Sequence, residues 1–153
     1  MHTLFIRRVM VNLVVSLMGL CLVSSAFAIG AGTWTCPQVK QLKDIAPLRS
    51  SFMLYGALNG PDNVSVNSVG PIRGQYFGAG SFVSASFISG GALACEYKVD
   101  TNQGTSKALV ITGDQVFVNS SGLTCLMNGK DAPTSCVSSN TSDCQMVCAK
   151  DPG

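Results

Sequence analysis

Cysteine is the residue type in this chain with the most chemistry on offer. Seven are present. Cys21 falls in an apolar leader; Cys36, Cys95, Cys125, Cys136, Cys144 and Cys148 follow it. Cys144-x-x-x-Cys148 brings two sulfurs close enough in sequence to act as a redox pair or as two thiolate ligands. Dithiol redox sites use a C-x-x-C spacing, however, and Cys-poor zinc sites draw on histidine. The single histidine is His2, inside the leader. Beyond residue 28 the chain therefore has no imidazole for metal ligation or for acid–base relay. An even set of cysteines behind an export signal reads as a disulfide framework. Six cysteines admit fifteen pairings, and the sequence alone does not choose among them. We expect Cys36 to tie the N-terminal segment to Cys95 and the other four to lock the C-terminal tail.

The remaining reactive side chains point to no catalyst. A glycosidase-like pair needs two carboxyl groups in unlike environments. Glu96 is the one glutamate, and its alternating context makes it a solvated partner for Lys98 or Lys107. Asp62, Asp100, Asp114 and Asp131 lie in turn-like stretches, where aspartate usually bonds its own backbone. A Ser–Lys dyad would need no histidine, but serine is so abundant that none stands out. We assign no catalytic, metal-ligating or cofactor-binding residue. Gly70–Gly80 (GPIRGQYFGAG) lacks the lysine and the strand–loop–helix setting of a phosphate loop. It reads as a glycine-rich loop in which Arg73, Tyr76 and Phe77 form a candidate contact site, because aromatics and arginine anchor interfaces. Trp34, the one tryptophan, reads as either a core plug or a contact.

Residues 1–28 carry the marks of Sec export. Arg7 and Arg8 precede an uncharged run from Val9 to Ala28. Ala26-Phe27-Ala28 is the small-x-small pattern of a signal peptidase site. Leu20 before Cys21 does not make a lipobox. The alternative is an uncleaved anchor, since about 20 apolar residues can span a bilayer. Cleavage leaves 125 residues, enough for one domain, 29–153, with a core of its own. That domain has eight Lys/Arg and eight Asp/Glu, scattered along the chain. Without a basic stripe, nucleic-acid binding is disfavoured. Membrane contact is expected only if the leader stays attached.

The elements that must position these residues are mostly strands. Val39, Leu42 and Ile45 recur every three residues behind Thr35, Cys36 and Pro37, which predicts one short helix ending at Pro47. From Phe52 the period changes to two. Strands are expected at 52–55 and 64–69, separated by the turn cluster Asn59–Asn63. Ser81–Ser89 places Val83, Ala85 and Phe87 on one face. After Gly90-Gly91, Leu93, Cys95, Tyr97 and Val99 alternate with Ala94, Glu96, Lys98 and Asp100, the pattern of a half-buried strand. A turn at Thr101–Gly104 and a second hairpin, 107–112 with 115–119, complete a meander. The tail from Ser120 shows little periodicity and must be stapled. The fold class is mainly β (α+β): an antiparallel sheet or small sandwich with one short N-terminal helix and a disulfide-stapled C-terminal tail.

The order of these features resembles a known family. A Sec leader, a W-T-C-P opening at Trp34–Pro37, Leu42-Lys43-Asp44, a strand cysteine in Cys95-Glu96-Tyr97 and a cysteine-rich tail are similar to the EirA-like periplasmic proteins of intracellular gammaproteobacteria. That family is associated with the Dot/Icm type IV secretion system. The resemblance implies a non-enzymatic periplasmic accessory protein supporting effector translocation and intracellular replication, with protein partners in the cell envelope. It supplies no catalytic motif. The competing reading is a secreted small binding protein, an effector, inhibitor or lectin-like module.

Overall fold

The computed structural model describes residues 31–48, 50–88, 91–113, 123–128 and 134–150. Two antiparallel sheets account for most of them. A small sheet holds β1 (Gly32–Thr35), β11 (Gln145–Lys150) and β9 (Leu123–Met127), in that spatial order. A large sheet runs β10 (Ser135–Val137), β6 (Tyr76–Ile88), β7 (Ala92–Thr101), β8 (Gly104–Thr112), β4 (Ser65–Ser68), β3 (Ser51–Ala57) and β2 (Lys43–Leu48). A two-residue strand, β5 (Ile72–Arg73), pairs with β3 beyond the end of β4. The expected mainly β class and stapled tail are therefore what the molecule adopts.

Alternation explains the core. In the small sheet Trp34 lies opposite Met146, and Met146 opposite Met127, a row of three large side chains on one face. All three are buried. They join Phe82, Leu93, Tyr97, Val99 and Val110 of the large sheet in one hydrophobic core. Trp34, read as core plug or contact, is the plug. It lies against the Gly60 backbone so closely that a Cβ at Gly60 would collide with its ring. The expected inward face of β7 is observed: Leu93, Cys95, Tyr97 and Val99 are buried. Its outer side is less wet than expected, because Ala94 is also buried, between Ser86 and Ile111 of the neighbouring strands.

Two bridges stitch the sheets together. Cys36, just past β1, is bonded to Cys95 in β7, as expected. Cys136 in β10 is bonded to Cys144, just before β11. The third, Cys125–Cys148, joins directly opposed residues of β9 and β11 within the small sheet. The four tail cysteines thus pair among themselves, as expected, yet the tail is not irregular: it supplies three strands. Its serine- and asparagine-rich spacing hides a period of two that only Met146 and Cys148 mark. Cys144 and Cys148 belong to different bridges, so they form no dithiol pair. Three disulfides point to an oxidising, extracytoplasmic environment. Among the described residues no helix is long and apolar enough to cross a membrane. The expected leader, residues 1–28, lies outside the described residues.

The N-terminal helix survives as a single 3-10 turn, Val39–Gln41. Leu42 is already extended, and Lys43–Leu48 is a strand. Two anchors explain why no helix propagates. The Cys36 disulfide fixes the entry, and the Tyr97 hydroxyl donates to the Pro37 carbonyl at 2.7 Å. A helix of about ten residues has little stability of its own to resist such anchors. Leu42 is buried, but Ile45 is exposed, so the three-residue stripe breaks there. Pro47 lies in a bulge between Ile45 and Leu48 of the edge strand, where its missing N–H costs no ladder bond. A capping box joins Gln38 and Gln41 at this turn.

Two other expectations shift. A bulge between Phe82 and Ser84 makes Val83 an extra residue in β6. The strand changes phase there, so Phe82, not Val83, joins Ala85 inside. Phe82 meets the Tyr97 ring edge-on at 5.6 Å. The expected meander does not include β4 as a neighbour of β8, yet β4 pairs with Val110–Thr112. Residues 115–119 lie outside the described residues, as do Gly90, Asp114 and Asp131.

Burial of Tyr97 pushes its hydroxyl well above the usual tyrosine range, with nearby Tyr76 adding to the rise. A raised folded-state value means that the native chain holds this proton after the unfolded chain has lost it. That share of stability is intact below about pH 10 and falls as pH climbs above it. We expect urea midpoints to decline above about pH 10, and Tyr97→Phe to flatten the decline while costing about 1–3 kcal/mol at neutral pH, because the Pro37 carbonyl loses its donor. We also expect unequal bridges. Loop closure over the 59-residue separation of Cys36–Cys95 is worth ~4 kcal/mol, and over the 8-residue separation of Cys136–Cys144 ~2.5 kcal/mol. Denaturation of the two paired Cys→Ala variants measures that order.

Candidate functional site

Arg73, Tyr76 and Phe77 do not form one surface. The glycine-rich stretch expected as a loop is strand from Tyr76 onward, because its backbone pairs with β7: Tyr76 with Thr101 and Gly80 with Val99. Four residues of β6 thus span two of β7. The excess is absorbed by glycines in conformations that other residues rarely adopt, Gly78 at φ 73° and Gly80 at φ 147°. At Gly80 a Cβ would run into the Lys98 carbonyl, so the close strand approach itself demands glycine.

The three candidate residues therefore have three fates. Tyr76 turns inward. Its ring stacks on Phe52 with centroids 5.2 Å apart, and its hydroxyl donates to the Val39 carbonyl at 3.3 Å. Partial burial raises its pKa above the ordinary tyrosine value, and the Asp44 charge raises it further. Tyr76 is thus held in the fold rather than free to meet a partner. Phe77, the next residue, points outward and is 60% exposed. Arg73 is exposed on β5, far enough along the chain to line a different cleft.

Phe77 belongs to an open strand edge. On the side away from β7, β6 is covered by β10 at Ser84–Ser86, and the Ser138 amide donates to the Val83 carbonyl. There the chain leaves the edge for a 3-10 turn at Thr141–Asp143. Phe77, Gly78, Ala79, Gly80 and Ser81 are all exposed, with no charge and no proline among them. Beside this edge lies an open groove of about 460 Å³, walled by Gln38, Val39 and Lys40 on one flank and Ser139, Asn140 and Thr141 on the other. Gln38, Ser139, Asn140 and Thr141 put amides and hydroxyls in its walls, and among the described residues Lys40 is its one charge.

The second cleft, about 390 Å³, arises where strand pairing fails. β4 covers one half of the β3 edge and β5 the other. The chain between them, Val69-Gly70-Pro71, swings outward, and the Ser68 hydroxyl accepts from the Leu54 amide at the break. β5 pairs with β3 but not with β8, so an opening remains between β5 and β8. Arg73 and Lys107 line it, over Val69, Pro71 and Leu109.

Glu96 bonds Lys107 at 2.9 Å, one of the two partners expected for it. Asp100 receives the Thr105 hydroxyl at 3.2 Å. Among the described residues no group of His, Cys, Asp or Glu is placed to hold a metal ion. Lys98 and Lys107 face each other across β7 and β8, a juxtaposition that sequence reading missed. The signal was present: a two-residue turn at 102–103 pairs positions whose numbers sum to 205, which sets Lys98 against Lys107. No protein family, no characterised protein and no solved structure matches this chain.

The separate fates of the neighbouring aromatics are measurable. Tyr76→Ala should cost about 1–3 kcal/mol, through lost stacking and burial. Phe77→Ala should stay within about 0.5 kcal/mol of the parent in the same urea titration, as exposed positions do.

Proposed function

We propose that this chain is a non-enzymatic interaction protein of the periplasm, an accessory to a secretion apparatus of the cell envelope, in keeping with its resemblance to the EirA-like proteins. Export through the Sec leader fits the three disulfides, which need an oxidising compartment to form. The observation that carries the reading is the open edge at Phe77–Ser81. It combines an exposed aromatic anchor with main-chain groups that no described strand pairs, and Phe77–Ser81 lacks the charges and prolines by which free edges are usually protected. An uncharged, extended segment of an envelope protein can add to such an edge as a further strand and seat a side chain beside Phe77. The groove of amides and hydroxyls between Lys40 and Asn140 borders the same edge and would receive the segment's polar side chains.

A photo-crosslinking experiment in the native host tests this. A benzophenone amino acid replaces Phe77 in one strain and Tyr55, an exposed residue of β3, in another. We expect crosslinks from position 77 to envelope secretion components in the periplasmic fraction, and none from position 55. Phe77→Asp should abolish that capture without altering the thermal midpoint by more than a few degrees. Recovery of the protein in the medium alone, or identical crosslinks from both positions, would defeat the proposal and favour a secreted binder.

A further inference from the structure

Among the described residues, the β5–β8 cleft is lined by two cations and no carboxylate. Arg73 and Lys107 both stand on the outer face. Ile72 and Phe52 form the inward pair on β5 and β3, which turns Arg73 outward, and Ala108 is buried, which turns Lys107 outward. Lys98 adds a third positive charge. It lies directly opposite Lys107, with Cβ atoms about 5 Å apart in such a pair. Facing like charges oppose strand pairing, so this arrangement is costly to the fold in isolation. The acids on the same face, Glu96 and Asp100, are both on β7, one strand away from the cleft. Glu96 meets Lys107, and Asp100 is engaged by Thr105. Arg73 has no acidic partner among the described residues.

The walls suit a polypeptide. The Leu109 carbonyl accepts from the Val69 amide, so it faces the β4 side of β8. Two residues earlier along a strand the backbone faces the same way, so the N–H and C=O of Lys107 open on the cleft. No described strand pairs with them there. Val69, 62% exposed, lines the cleft with Pro71 and Leu109, beside the two cations. We propose that this cleft docks an extended acidic segment of a protein partner. Its carboxylates meet Arg73 and the Lys98–Lys107 pair, and an apolar side chain between them covers Val69, Pro71 and Leu109. A concave site with two lining cations is unlike a bilayer-binding surface, which draws on clusters of about four to eight.

The test is a salt-controlled NMR titration of the isotope-labelled, disulfide-bonded protein. The probe is a synthetic octapeptide alternating glutamate with leucine, with a lysine–leucine octapeptide as control. We expect amide shifts concentrated at Val69, Arg73, Lys107 and Leu109 with the acidic peptide alone, and affinity that falls as salt rises. Arg73→Glu with Lys98→Glu should weaken binding about tenfold or more, because like charges then face each other across the contact. Should that variant unfold early in a thermal scan, Arg73→Gln with Lys98→Gln serves, with a smaller loss in the same direction. Absence of binding, shifts centred elsewhere, or charge variants that bind as the parent does would overturn the proposal. Vesicles of equal phosphatidylcholine and phosphatidylglycerol form the second arm. Retention on them that is at least as strong and equally Arg73-dependent would reassign the cleft to an anionic lipid surface.

Discussion

The tie between the segment after β1 and the centre of β7 governs the rest of the molecule. It has two strands: the Cys36–Cys95 disulfide and the Tyr97 hydroxyl on the Pro37 carbonyl. Together they hold the small sheet over the large one at the point where Trp34, Leu93 and Tyr97 meet the core. Asn59 completes the clasp. Its backbone exchanges bonds with Thr35, and its side-chain amide donates to the Cys36 carbonyl. A buried carbonyl without a donor would be expensive, so the Tyr97 hydroxyl is as much a part of the clasp as the sulfur bridge. Once residues 35–37 are pinned, the chain has room for one 3-10 turn before it must join β3 as an edge strand.

The large sheet is long, and besides the bulge in β2 its pairing is interrupted along β6 and along the β3 edge. Both interruptions produce the surfaces of interest. Along β6 two bulges and two left-handed glycines keep Tyr76 facing inward on Phe52 while its neighbour Phe77 faces water. Along β3 the passage from β4 to β5 leaves an opening beside β8. The Ser68 hydroxyl satisfies the Leu54 amide at that break, so the sheet loses a ladder bond without burying an unpaired donor. Irregular pairing of this kind is where sheets re-aim side chains. The same two places hold the exposed aromatic Phe77 and the cations Arg73 and Lys107, so strand pairing rather than loop structure positions them.

Low charge shapes what such a protein can contact. Eight acids and eight bases beyond residue 28 balance, which leaves that part of the chain no strong long-range field. The open β6 edge offers main-chain groups and one aromatic; the β5–β8 cleft offers two cations over an apolar floor. They lie on different parts of the large sheet and call for unlike partner chemistry.

By itself, the sequence determined those features that rest on local period and on residue inventory. The strict alternation of Leu93, Cys95, Tyr97 and Val99 defined β7 and its buried face. The short turn at 101–104 defined the β7–β8 hairpin, and the even cysteine set announced disulfides. A cysteine on that buried face pointed to an inward bridge, while its partner Cys36 was one choice among several. Tertiary structure decided the rest, because the deciding contacts are distant in sequence. A three-residue stripe at Val39, Leu42 and Ile45 is too short to distinguish a helix from a turn and a strand, and the anchors at Cys95 and Tyr97 chose the latter. A bulge has no signature of its own, so the phase change from Ala85 to Phe82 was hidden, as was the inward turn of Tyr76. The opening between β5 and β8 depends on which strand takes each half of the β3 edge. Strand order is set by burial across the whole sheet, and no local pattern encodes it.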